Sequence, residues 1–121
     1  MIKNILQPTG DQVRAFRDRQ TGEPIYMLNL LKFREKASYE VFNKVMKPKG
    51  AKVVYSGAVR GFLIGEGDGT WDAMVVIMYP STQVMLDMFR NEEYQVAQQH
   101  RAAALEGQLL IECGAGFEFG A

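Results

Sequence analysis

The sequence predicts an α+β domain: four strands and two main helices in the order βαββαβ, behind a leading N-terminal helix. Three observations carry this prediction. Segments 24–33 and 70–80 are short, rich in β-branched, aromatic and other large apolar residues, and apolar on both alternating faces, as strands covered on both sides must be. Segments 37–45 and 91–107 repeat apolar residues at helical spacing between start and stop signals. A glycine-rich turn joins the two middle strands, which makes the order that of the ferredoxin-like plan.

The elements follow in order. DQVRAFRDRQ, residues 11–20, sets Val13 and Phe16 at helical spacing, and TGEP closes that short helix as a turn. PIYMLNLLKF, residues 24–33, is the first strand. ASYEVFNKV, residues 37–45, has Ser38 as N-cap and Tyr39, Phe42, Val45 and Met46 on one stripe, and it ends near Pro48 and Gly50. KVVYSGAVRGFLIG, residues 52–65, reads as a strand that Gly57 and Gly61 bend, bulge or open to a close neighbour. GEGDGT turns the chain, and TWDAMVVIMYP, residues 70–80, is the clearest strand of all. Ser81 then opens a short helix. Asn91 caps a longer one that carries acidic residues in its first turn and is expected to stop at Gly107 in a left-handed conformation. QLLIECG and GFEFG form one final strand or two short ones.

A chain of 121 residues suits one domain and one core, with residues 1–23 as leading helix and turn and 24–121 as the ferredoxin-like body. Fourteen basic and fourteen acidic side chains balance, so no overall field favours nucleic acid or an anionic membrane as partner. The local excess of Lys44, Lys47, Lys49 and Lys52 reads as a solvated surface at a helix end. The N-terminal stretch lacks the apolar core of a secretory signal, and no run approaches a membrane span, so a cytoplasmic protein is expected. Cys113 is the sole cysteine and His100 the sole histidine, which leaves no disulfide framework and no metal-ligand spacing, and no cofactor is expected.

A four-stranded sheet with two main helices covers one face only, yet these strands are apolar on both. The economical cover for the second face is another copy of the chain, so the sequence predicts a homodimer whose sheets meet as an α+β barrel. The strings PIYMLNLLKFRE, KVVYSGAVRGFLIGEG, TWDAMVVIMYPS and NEEYQVAQQHRAAALEGQLLI, in that order, resemble the domain-of-unknown-function family 1330 of the dimeric α+β barrel superfamily. The resemblance runs from about Pro24 to Ile111 and implies the same fold. The wider superfamily includes cofactor-free monooxygenases, isomerases, haem-degrading enzymes and dehydratases, so it implies no single chemistry, and none of its functional residues has a motif match here.

Candidate residues are the polar groups that interrupt apolar faces. His100, at the margin of the stripe formed by Tyr94, Ala97, Arg101, Ala104 and Leu105, is expected to look inward, either as a general acid or base or as a packed histidine bonded to a backbone carbonyl or near Tyr94. Arg101 suits a carboxylate or enolate, or an ion pair with Asp72 or Glu93. Asn29 breaks the face Ile25–Met27–Leu31 and needs a partner, whether backbone or ligand. Trp71 and Asp72 suit a pocket mouth, and Tyr39, Tyr55 and Tyr79 offer phenols to a cavity or tips to a core. GEGDG lacks a following helix and reads as a hairpin turn rather than a phosphate loop.

The expected protein is a homodimer with an apolar pocket between sheet and helices for a small aromatic or enolisable organic molecule. As an enzyme it would be a cofactor-independent monooxygenase or isomerase, with His100 and Arg101 catalytic and Asn29, Tyr39, Tyr55, Trp71, Asp72 and Tyr79 binding substrate. The alternatives are a non-catalytic ligand-binding or stress-associated module, and a structural dimer without a pocket.

Overall fold

The computed structural model describes residues 7–34, 50–67 and 71–114. Helix α1, Gly10–Asp18, starts where Thr9 accepts from the Gln12 amide while the Gln12 side chain accepts from the Thr9 amide, a reciprocal cap for two otherwise orphaned donors. Its one buried residue, Phe16, joins Ile25, Met27, Ile77, Tyr79 and Met85 in the larger of two core clusters. Arg19 lies over the outer side of the Phe16 ring and also pairs with Glu112, which ties the leading helix to the far end of the sheet.

The sheet contains β1 (Ile25–Phe33), β2 (Lys52–Ala58), β3 (Ala73–Tyr79) and β4 (Leu105–Cys113) in the spatial order β2-β3-β1-β4. Each neighbouring pair is antiparallel, as the ferredoxin-like plan requires. β1 is central, so both its edges are bonded and its alternation decides what each layer receives. Ile25, Met27, Asn29 and Leu31 face inward and are buried, opposite Tyr79, Ile77, Val75 and Ala73 of β3. Tyr26, Leu28, Leu30 and Lys32 face outward and are half-buried.

Behind the inner face run α2, Thr82–Phe89, and α3, Glu92–Ala104. Ser81 caps the first by accepting from Val84, and Asn91 caps the second by accepting from Glu93 and Tyr94. The expected helix over residues 37–45, with Tyr39, Lys44, Lys47 and Lys49, and the GFEFG strand lie outside the described residues.

Two boundaries differ from expectation. The second strand stops at Ala58, and Phe62, Leu63 and Ile64 sit in an exposed loop, Leu63 at 98% exposure. Nearby Gly65, at a φ of 93°, takes a left-handed conformation that no strand uses. The long helix ends at Ala104 rather than at Gly107, because Leu105 is drawn wholly into the core opposite Phe33 and adopts extended dihedrals. Gly107 is therefore a buried strand residue and the helix runs straight into β4.

Leu31 and Leu105 anchor the second core cluster with Ala73 and Ala104. Truncating Leu31, 1% exposed, to alanine is expected to cost about 2–5 kcal/mol, because the closely bonded central strand collapses poorly around a void. Urea denaturation measures it.

Candidate functional site

Between the inner sheet face and the two helices lies a cavity of about 580 Å³. Met27, Ile77, Met85 and Met88 form its apolar walls, with Leu110 of β4 opposite Asn29. Three expected site residues meet there: Asn29, Tyr79 and Arg101.

Asn29 is 4% exposed and its amide is fully engaged. Its NH2 group donates to the carbonyls of Met27 and Val75, each at 3.3 Å, and its Oδ1 accepts from Nε2 of Gln108 at 3.0 Å. Gln108, itself buried, sits across the sheet from Leu31 and reaches diagonally to Asn29. Each buried amide supplies the partner the other needs.

Arg101, 8% exposed, projects from the inward stripe of α3. Its NH1 donates to Oε1 of Gln98 at 2.8 Å, and the Tyr94 hydroxyl donates to the same oxygen at 3.2 Å. Positions 94, 98 and 101 follow the four- and three-residue spacings that align side chains on one helix face. The Phe89 ring tilts against Tyr94 at 5.7 Å between centroids and fixes its orientation. On the sheet side, the buried Tyr79 hydroxyl has the weakly accepting sulfur of Met88 at 3.8 Å.

These surroundings set the protonation. Burial, then the neighbouring Tyr94 phenol, push Tyr79 up to about 12 against a smaller pull from Arg101. Burial likewise raises Tyr94, again opposed by Arg101. The same burial lowers Arg101, with Tyr94 and Tyr79 acting the other way. At neutral pH the cavity therefore presents a guanidinium beside two protonated phenols.

The other expected residues lie elsewhere. His100 is exposed and outside the cavity lining, contrary to its inward placement: one residue step turns about 100°, which carries it off the stripe that Arg101 occupies. Tyr55, 53% exposed, stands on the outer sheet face opposite Val76. There it folds back over Gly57, where an added Cβ would meet the phenol oxygen at 2.6 Å. Trp71 is half-buried and outside the lining. Asp72 is a structural knot: its carboxylate accepts from the Phe33 amide at 2.7 Å, its amide donates to the Leu31 carbonyl at 2.8 Å, and its carbonyl accepts from Val59 at 3.0 Å. Gln98 and Gln108 went unremarked in the sequence. The signal for Gln98 was its position three residues before Arg101, and for Gln108 its alternation with Leu110.

Residues 24–115 match the family model described as a domain of unknown function, DUF1330. The chain belongs to the DUF1330 family. A crystal structure of a protein of unknown function from Rhodopseudomonas palustris is similar to this DUF1330 chain at 30% identity, covering 92% of this chain and 96% of that one, with a TM-score of 0.81. A dimeric ferredoxin-like protein of unknown function from Jannaschia sp. CCS1 shares the fold at 12% identity, 76% and 99% coverage and a TM-score of 0.60. Another, a dimeric protein of ferredoxin-like fold and unknown function from Bacteroides fragilis NCTC 9343, is similar at 15% identity, 83% and 99% coverage and a TM-score of 0.50. No curated protein matches the chain.

Two predictions follow from the polar cluster. Gln108→Leu strands the buried Asn29 oxygen and is expected to cost about 1–3 kcal/mol, while Asn29→Leu combined with Gln108→Leu is expected to cost less than the two single losses summed; a urea-denaturation cycle reads this. For Tyr79, the folded value lies above the unfolded one of about 10. Its contribution to stability is therefore complete below about pH 10 and is lost as pH rises toward about 12. Tyr79→Phe is expected to flatten the fall in stability across that window, measured by chemical denaturation at stepped pH.

Proposed function

We propose that this chain is a homodimeric binding protein for a small aromatic or enolisable organic molecule. The observation that carries the reading is the cavity: it has the volume of a ligand site, its walls are apolar, and a few buried polar groups converge in it. A structural dimer without a pocket has no use for such a space.

The outer sheet face supports the dimer. Tyr26, Leu28, Leu30, Met74, Val76 and Met78 are half-buried there, and Leu109 and Ile111 are close to half exposed. A continuous apolar surface of this kind favours association through removal of water, and two proteins sharing the fold are described as dimeric. Ile111→Glu is expected to halve the mass seen by sedimentation, because a charge on that apolar face cannot be desolvated cheaply; an unchanged mass argues for another interface.

A catalytic version, oxygenation or isomerisation without a cofactor, is favoured by one observation: Arg101 and two protonated phenols border the same space and suit a developing enolate. In that version His100 would have to act from outside the cavity. Thermal-shift titration with aromatic carboxylates and ketones, followed by product analysis, separates binding from turnover. Ala97→Phe, which adds a ring to the α3 wall of the cavity, is expected to abolish ligand-induced stabilisation with the fold retained. His100→Ala is expected to leave that stabilisation unchanged.

A further inference from the structure

We infer that the cavity takes a neutral, flat carbonyl compound, an aryl ketone in the simplest case, whose oxygen accepts the hydrogen bond that the Tyr79 hydroxyl otherwise gives to a thioether. The inference rests on the reading of the cavity as a binding site and adds the ligand's polar group, its lack of charge and its orientation.

Tyr79 is 4% exposed and packs in the apolar cluster of Phe16, Ile25, Met27, Ile77 and Met85. A phenol buried there needs an acceptor, because a donor taken from water and left poorly bonded is destabilising. The acceptor that the fold supplies is Sδ of Met88, 3.8 Å away, and a thioether sulfur accepts only weakly. Tyr79 and Met88 both line the cavity, so this bond runs along its wall. A ligand oxygen that takes the place of the sulfur exchanges a poor hydrogen bond for a good one. Among the described residues the hydroxyl gives up no other hydrogen bond in doing so.

The surroundings of the phenol decide the ligand's charge. Met27, Ile77, Met85 and Met88 line this part of the cavity, and none of them is charged. Burial is the largest influence on Tyr79, and Arg101 is the smallest of the three that act on it. An anion brought to the hydroxyl would shed its hydration among thioethers and aliphatic groups, a far larger loss than a ketone oxygen meets. The phenol stays protonated at neutral pH and so remains a donor, which is what a carbonyl requires. Thioethers pack adaptably on aromatic rings, so the three methionines suit a flat body. The carbonyl thus lies between Tyr79 of β3 and Met88 of α2, with the ring against Met27 and Met85.

The test compares 2-acetylnaphthalene with 2-isopropenylnaphthalene, which has the same shape but carries a methylene group in place of the carbonyl oxygen. Both are titrated into the wild-type protein at neutral pH by naphthalene fluorescence. Both are expected to bind, and Ala97→Phe is expected to abolish both. Tyr79→Phe is expected to weaken the ketone about three- to tenfold and to leave the alkene unchanged. Met88→Leu, which removes the competing sulfur, is expected to keep or raise the affinity for the ketone. The infrared carbonyl stretch of the bound ketone is expected at lower frequency in the wild type than in Tyr79→Phe. Should Tyr79→Phe fail to fold, Met88→Leu and the stretch in the wild type compared with that in hexane decide. Equal effects of Tyr79→Phe on ketone and alkene, a stretch at the hexane frequency, or binding of the alkene alone overturns the carbonyl inference while the cavity reading stands. Binding of neither probe, or binding that Ala97→Phe leaves intact, overturns both.

Discussion

The strict alternation of β1 governs this structure. A central strand bonded on both edges has no freedom to slip, so each of its side chains is committed to one layer or the other. Ile25, Met27 and Leu31 enter the helix-covered layer and build its two apolar clusters. Asn29 is committed to the same layer by the same rule, although an amide gains nothing from leaving water. Its burial compels the fold to bring Gln108 within 3.0 Å, and that pair stands between the two clusters. The polar lining of the cavity thus begins as a consequence of strand pairing.

The helix layer adds charge to that polarity. Arg101 shares a stripe with Tyr94, Ala97 and Ala104, so packing α3 on the sheet carries the guanidinium inward with the apolar residues. Burial acts on the charged cluster in a consistent direction, raising both phenols and lowering the guanidinium. Desolvation therefore dominates the electrostatics of this space. It keeps the tyrosines protonated as donors, whereas the arginine stays the cation against desolvation because a guanidinium's ordinary pKa is so high.

Much of this was legible in the sequence, and the reasons differ by residue. Element order, the Thr82–Phe89 and Glu92–Ala104 helices and the two-sided β1 and β3 could be read because caps and periodicity are local properties. Asn29 and Arg101 announced themselves as polar residues on apolar faces. His100 was misplaced because a helical stripe fixes direction only to within about one residue's turn, and the packing against the sheet decides the margin. Asp72 was legible as a carboxylate near a sheet end, but its bonds to Phe33, Leu31 and Val59 depend on which strands become neighbours. The FLIG segment looked like strand because strand propensity reports apolar, half-buried surroundings, whereas here the chain has left the sheet. Gln108 depended on a register bulge beside Phe33 that composition alone does not reveal.

The seamless passage from α3 into β4 has a mechanical meaning. Arg101 lies four positions before Leu105 and Gln108 three positions after it, on one uninterrupted run of backbone with no loop to absorb strain. Leu105 is the pivot, clamped in the core and paired with Phe33. A rotation of the helix that shifted the guanidinium would pull on the same lever that holds the amide pair, so the two polar anchors of the cavity move together or not at all. Such a joint couples the charge on the helix wall to the amides on the sheet wall through a single stretch of backbone.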